Sequence, residues 1–161
     1  MSLTTTQNAT LKAVILADPI LNAYPNNSDG AFDIAVILNG ISVPPFTVWK
    51  TLVPLSNVFG AINGGELEAL TTAESSRMQV IALFSVDGVN PSRADTRALF
   101  DGIFGGAGGT FTRPALLVLW KRIATEGEQI FATGTGTDLA PATLTFEGEL
   151  TPSDVHMARN S

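Results

Sequence analysis

Proline, glycine and helix-capping residues divide the chain into short segments, most of which have the apolar periodicity of a helix. Thr71 and Glu74 are the first and fourth residues of a capping box, in which hydroxyl and carboxylate satisfy free N–H groups at a helix start. This box predicts a helix that runs to about Phe84. A second helix is predicted from Asn90-Pro91 through Phe104, and a short terminal helix after Thr151. These helix-start and helix-end signals therefore favour a mainly α fold.

The other helices are predicted from apolar spacing and end signals. One covers about residues 10–21, with an interruption at Asp18-Pro19, and the next has Ser28 as its N-cap and continues to Leu38. A short helix is predicted over residues 55–62. The clearest 3.6-residue pattern lies between Pro114 and Thr133, and the sequence therefore predicts one long helix there.

Two segments have the alternating pattern of a short strand. Pro44-Pro45 prevents a helix, and residues 46–51 then alternate large apolar with polar side chains. Residues 143–150 alternate in the same way. The predicted fold is therefore mainly α with minor β: one compact domain over residues 1–161, with about six or seven helices and one or two short extended segments.

The chain has few charges for its apolar content. Hydrophobic residues make up 45% and charged residues only 15%, against about 25% charged residues in a typical domain. Part of the surface is therefore covered either by small polar residues or by other subunits. The net charge of −6 is spread evenly and forms no basic stripe, so direct binding to nucleic acid is not expected. Without an export signal or a membrane-length apolar run, we expect a protein made in the cytoplasm with no membrane partner.

The residue census excludes much catalytic chemistry. The chain has no cysteine and a single histidine, His156, which is predicted to be exposed on the last helix. A cysteine nucleophile, a disulfide, a thiolate metal site and a buried Ser-His-Asp relay are therefore excluded. We expect no catalytic residue, no cofactor and no metal site.

Acidic pairs are the remaining catalytic alternative. Glu126 and Glu128 are predicted to point to different sides of a helix, whereas Glu147 and Glu149 share the wet face of a strand. We expect all four to be solvated, and a carboxylate-dependent wall hydrolase is only the third hypothesis. A magnesium site between Asp29 and Asp33 is a minor alternative, because no second set of ligands lies nearby in sequence.

Two glycine-rich loops and two aromatic residues are candidates for contacts between subunits. The cluster over residues 102–109 lacks a Gly-Lys-Ser/Thr motif and follows a helix, which argues against a phosphate-binding loop. Both this cluster and residues 133–138 are predicted to be flexible loops or loops that order against a neighbouring subunit. Aromatic side chains of an extended segment either pack on their own domain or anchor a partner. The candidate contact residues are Phe46, Trp49, Gly105, Gly106, Gly108, Gly109, Phe111, Thr135 and Thr137.

Several blocks of the sequence look familiar together: LWKRIAT at residues 119–125, Glu128, FATGTG at 131–136, PAT at 141–143, FEG at 146–148, YPN at 24–26 and SDGA at 28–31. These blocks resemble a group of small, mostly uncharacterised proteins of tailed bacteriophages, whose genes tend to lie among the virion structural genes. The blocks cover much of the chain and contain no catalytic motif. The resemblance implies a component of the virion or of its assembly.

The predicted function is a non-enzymatic structural protein located in the virion. The helical content favours a head-to-tail connector or adaptor subunit of a symmetric assembly, with copies of itself and other phage structural proteins as partners. A capsid-decorating protein or a tail subunit is the close alternative. A soluble tail-assembly chaperone or binding factor, absent from the finished particle, is the alternative of another class.

Overall fold

A computed structural model describes residues 3–85, 87–105 and 109–161 of the chain. These residues form ten helices and two small two-stranded sheets, so the mainly α fold with minor β is confirmed. The number of helices exceeds the prediction because three of them have only five residues: Pro19–Ala23, Gly64–Glu68 and Glu126–Ile130. The chain divides into two compact units. Unit 1 comprises Met1–Val48 and Ile123–Ser161, and unit 2 comprises Trp49–Arg122. One domain over residues 1–161 stays a prediction.

Unit 1 is built around the helix α10 (Pro152–Asn160), which packs against both α1 (Thr5–Ala17) and α3 (Ser28–Leu38). Their buried faces contribute Ile15, Ile34 and Val155, each 0% exposed, to one apolar core. Phe131 and Phe146 close this core with an edge-to-face contact at a ring separation of 5.3 Å. The elements of unit 1 are α1 (Thr5–Ala17), α2 (Pro19–Ala23), α3 (Ser28–Leu38), α9 (Glu126–Ile130), β3 (Ala132–Thr133), β4 (Thr143–Leu144) and α10 (Pro152–Asn160).

Local caps explain where the first helices begin and end. α1 begins earlier than predicted because Thr4 forms a capping box with Gln7. Asp18 then ends α1, and its carboxylate accepts the N–H groups of Ile20 and Leu21 at the start of α2. The predicted interruption at Asp18-Pro19 is therefore the start of a new helix. The N-cap of α3 is Asn27, so the prediction of Ser28 was wrong by one residue.

Unit 2 is helical and has its own core. Val58, Phe100 and Leu116 are almost fully buried there, and Trp120 is 3% exposed. The predicted short helix over 55–62 and the helix after the Thr71 capping box are both confirmed. The helices of unit 2 are α4 (Leu55–Ala61), α5 (Gly64–Glu68), α6 (Thr72–Phe84), α7 (Ala94–Ile103) and α8 (Thr112–Leu119). The strands β1 (Thr47–Trp49) and β2 (Lys121–Ile123) pair in a small sheet.

The predicted start of α7 was wrong. Asn90 does not cap the helix, because its side-chain oxygen accepts the N–H of Ser92 at 3.0 Å and closes a local turn. The helix begins after Arg93 instead. Asn63, which follows α4, caps the next helix, α5, by accepting the N–H of Glu66 at 3.1 Å.

The long helix predicted between Pro114 and Thr133 was also wrong. α8 ends at Leu119, the chain becomes extended in β2, and a new capping box opens α9. In that box the Thr125 hydroxyl accepts the Glu128 N–H at 3.1 Å, and the Glu128 carboxylate accepts the Thr125 N–H at 3.1 Å. Likewise, the strand predicted over residues 143–150 is limited to β4, which pairs antiparallel with β3. The terminal helix after Thr151 is confirmed.

Candidate subunit-contact surface

The outer side of α3 carries large apolar side chains although it faces solvent. Ile34 and Leu38 on the inner side belong to the core of unit 1. Phe32 and Val36 lie one turn apart on the other side, and each is 57% exposed. A solvent-facing helix side of this kind is normally polar, so this one is a candidate for contact with another chain.

The loop after α3 continues this exposed apolar surface. Ile41 is 71% and Val43 is 82% exposed. We call Phe32, Val36, Ile37, Ile41 and Val43 the outer α3 surface.

Hydrogen bonds hold the backbone of this loop in place. The Ser42 N–H donates to the Ala124 carbonyl at 3.0 Å, and the Glu126 N–H donates to the Gly40 carbonyl at 2.9 Å. The Glu126 carboxylate in turn accepts the Val43 N–H at 2.9 Å. Side chains on an ordered backbone of this kind lose less conformational entropy when they bind than side chains of a mobile loop.

Two acidic residues lie on the same exposed side of α3. Asp29 and Asp33 are exposed, and at about 100° of rotation per residue they project between Val36 and Ile37. Two carboxylates are therefore placed among the apolar side chains of the outer α3 surface. Across the described ranges, no group of three His, Cys, Asp or Glu side chains is arranged to hold a metal ion.

Phe46 and the loop of residues 133–138, which we call the Thr/Gly loop, were predicted separately as contact features. In the structure they lie together inside unit 1. Phe46 is half-buried, and its ring packs on Gly136, where an added Cβ would lie 2.1 Å from a ring carbon. The Thr47 N–H donates to the Gly136 carbonyl at 2.7 Å. The exposed Thr135 and Thr137 bond to the carbonyl and the N–H of Ala140, each at 3.0 Å. The loop is thus held by its own hydrogen bonds and by the Phe46 ring.

The glycine cluster is described only at its two ends, since Gly106 and Gly108 lie outside the described residues. Gly105 is exposed, whereas Gly109 is buried so close to the Phe104 carbonyl that a Cβ would come within 1.6 Å of the oxygen. Phe111 follows and is 67% exposed.

Glu66 ties the segment after the glycine cluster to α5. Its carboxylate accepts the N–H groups of Phe111 and Thr112, each at 2.8 Å, and is itself buried. Burial raises the pKa of Glu66, but hydrogen bonds from Thr112, Phe111 and Thr110 outweigh it, so the pKa lies below its usual value. Phe111 is therefore an exposed aromatic side chain on an anchored backbone.

Trp49, the other aromatic candidate, is half-buried against the core of unit 2. The guanidinium of Arg97 lies 4.3 Å from the centre of its ring. Much of the indole surface is therefore already in contact with its own unit.

The acidic side chains correct one prediction. Glu128 is 3% exposed and Glu126 is half-buried, so the expectation that both are solvated was wrong. The burial of Glu128 follows from its place in the capping box of α9 and from the Gly148 N–H, which it accepts at 3.1 Å. Glu147 and Glu149 are exposed, as is His156 on the last helix, and these predictions are confirmed.

The outer α3 surface was missed by the sequence prediction, although a signal was present. From Ala31 to Leu38, Asp33 is the single charged residue. A helix that is apolar on nearly every side cannot bury all of its sides in one small core, and its remaining side faces solvent or a partner.

No protein-family model, curated protein or solved structure matches this chain. In the described part of the chain, no helix combines the length and apolar character that a membrane crossing requires.

Proposed function

We propose that this chain is a non-enzymatic structural protein of a bacteriophage particle, which associates with copies of itself as a head-to-tail connector or adaptor subunit. The observation that carries the proposal is the outer α3 surface. Five large apolar side chains are exposed there, and two of them, Ile41 and Val43, belong to a hydrogen-bonded loop. The resemblance of the sequence to virion proteins of tailed phages supports the proposal that the assembly is a phage particle.

The energetic argument is hydrophobic burial. Removing apolar surface from water stabilises an association by about 25 cal/mol per Å² before the entropic costs of binding are subtracted. A standard interface buries about 800 Å² on each partner. The outer α3 surface supplies apolar side chains to such a contact, and Asp29 and Asp33 supply polar groups among them.

A symmetric ring fits this arrangement. In a ring, a patch on one subunit contacts a different patch on the next, and the rotation closes the assembly. The second patch must then lie elsewhere on the chain. In unit 2, the exposed Phe111 on its anchored backbone is one candidate residue of this second patch.

The test is the copy number of the protein in purified particles of the phage that encodes it. Quantitative mass spectrometry against the portal ring of the same particle measures this number. A ring-like copy number supports the connector, whereas hundreds of copies would replace it with a coat or tail-tube role. Absence from the particle would overturn a structural role and leave a soluble assembly factor.

A further inference from the structure

The fold separates charges that are spread evenly along the sequence. Unit 1 contains nine acidic and two basic residues, and its net charge is therefore −7. Unit 2 contains six acidic and seven basic residues, and its net charge is +1. The unit 1 domains of two copies therefore repel each other, whereas unit 1 of one copy and unit 2 of another do not.

The same argument applies to the outer α3 surface itself. Asp29 and Asp33 are exposed, and neither forms a salt bridge with the described residues. If the outer α3 surfaces of two copies packed against each other, four carboxylates would share one contact, where the exclusion of water strengthens their repulsion. The arrangement therefore favours a partner surface that is apolar and carries cations.

The outer side of α8 has this character. Phe111, Leu117 and Val118 are 67%, 42% and 72% exposed, and Pro114 is exposed as well. These positions are separated by three, four or seven residues, which places them on one side of a helix. We call Phe111, Pro114, Leu117 and Val118 the outer α8 surface.

Basic residues flank the outer α8 surface at both ends of the helix. Arg113, in the first turn, is the single charged residue between Phe111 and Trp120. At the other end, the Lys50 Nζ donates to the carbonyl of Leu119, the last residue of α8, at 2.7 Å. A carboxylate of a docked helix would therefore find a cation at either end of this surface.

The ion pair of Arg113 leaves it able to bind a further carboxylate. Its Nε and Nη2 lie 2.9 Å and 2.8 Å from the same oxygen of Asp101. A guanidinium has five N–H donors, so other donors remain, and an ion pair as exposed as this one contributes little on its own. A second acidic group at this end of α8, Glu66, is buried and accepts the backbone N–H groups of Phe111 and Thr112.

We propose that the outer α3 surface of one copy docks on the outer α8 surface of the next copy. This inference rests on the proposed self-association and names its second patch. The apolar side chains of the two helices pack against each other, and Asp29 and Asp33 meet the basic residues that flank α8. Because the two patches differ, copies join head to tail, as a ring requires.

Two variants, each defective in one patch, test the proposal. The α3 variant is Phe32→Ser, Val36→Ser and the α8 variant is Leu117→Ser, Val118→Ser; all four side chains are at least 42% exposed, and circular dichroism verifies folding. We expect each variant alone to have a mass of 16.9 kDa. Their equimolar mixture restores one intact contact, and we expect it to form a dimer of twice that mass in sedimentation equilibrium.

The matched control is Val80→Ser, Leu83→Ser, on an exposed side of α6 in the same unit, which should associate like the wild type. An α8 variant that associates like the wild type would overturn the docking on α8 and leave self-association intact. A mixture that stays at 16.9 kDa, or equal losses in the control and the α8 variant, would also overturn it. A wild type that is monomeric at every concentration would overturn the proposed self-association as well.

The charges have a test of their own. Raising the NaCl concentration from about 50 mM to about 500 mM screens them, and we expect the mixed dimer to dissociate about tenfold more readily. Asp29→Asn, Asp33→Asn, introduced into the α8 variant that supplies the α3 surface, should remove most of this salt dependence. A dimer that is equally stable at both salt concentrations would overturn the role of the carboxylates and, with it, the choice of α8.

Discussion

At the scale of single residues, Gly136 links the Thr/Gly loop to Phe46. Its φ of 66° is one that L side chains rarely adopt, and the Phe46 ring occupies the space where a Cβ would lie. We predict that Gly136→Ala lowers the free energy of unfolding by roughly 1–3 kcal/mol, through backbone strain and displacement of the ring. Urea denaturation measures the change.

Gly64→Ala is the matched control for this prediction. Gly64 opens α5, and an added Cβ there meets no atom within 4 Å. Its substitution is expected to change the stability by less than about 1 kcal/mol. Similar losses in the two variants would show that Phe46 does not pack on Gly136.

Glu66 makes the stability of unit 2 depend on pH. Because its pKa in the folded protein is lowered, it stabilises the fold above its ordinary pKa of about 4.3. That contribution is lost as the pH falls below this value through the lowered pKa. We predict that Glu66→Gln is less stable than the wild type at pH 7 and that the difference shrinks towards pH 3.

Melting temperatures measured at several pH values test this dependence. Glu149→Gln removes an exposed acid and controls for the change in net charge. A Glu66→Gln deficit that stays constant between pH 7 and pH 3 would contradict the proposed hydrogen-bonded carboxylate.

At the scale of elements, capping boxes define much of the secondary structure. Thr4, Thr71, Thr125 and Thr151 each open a helix with such a box. We predict that Thr125→Ala lowers the free energy of unfolding by about 1 kcal/mol, whereas Thr125→Ser, which keeps the hydroxyl, changes it little. Chemical denaturation of the three proteins provides the comparison. Equal stabilities of the alanine and serine variants would mean that the box contributes nothing.

The same boxes explain which elements are predictable from sequence. The helices after Thr71 and Thr151 were predicted correctly because the residue pair that signals each helix in the sequence also forms its capping box in the structure. The two members of each pair are three positions apart. The long helix between Pro114 and Thr133 was wrong because apolar residues at helical spacing also occur across α8, β2 and α9. The Thr125–Glu128 capping box marks the start of α9 locally, whereas the apolar spacing continues across the break.

The candidate surface was less predictable than the fold. Aromatic and glycine-rich segments suggested Phe46 and the loop of Thr135, but these pack together within unit 1. Whether an apolar side chain is buried depends on which other elements cover its helix. For Phe32 and Val36 that coverage is set by helices distant in sequence, which periodicity alone does not report.

At the scale of the whole molecule, burial within the units leaves substantial apolar surface uncovered. Nineteen large hydrophobic side chains are exposed in the described part of the chain. Single exposed apolar residues are common in soluble proteins, but neighbouring ones on an ordered backbone mark contact surfaces. The low charge content fits the proposed particle subunit, in which neighbouring subunits would cover such surface.

The central claim is self-association through the outer α3 surface. We predict that the double variant Phe32→Ser, Val36→Ser stays folded and loses the association. Both side chains are more than half exposed, so their replacement affects the core little. Leu139→Ser, at a residue that is 96% exposed outside this surface, controls for a general loss of apolar area and should associate like the wild type.

The most direct measurement is the mass of these three proteins in solution, determined by light scattering over a range of concentrations. The account predicts a defined multiple of 16.9 kDa for the wild type and for Leu139→Ser, and a mass of 16.9 kDa for the double variant. A wild-type mass of 16.9 kDa at every concentration, or a double variant that associates as the wild type does, would contradict it.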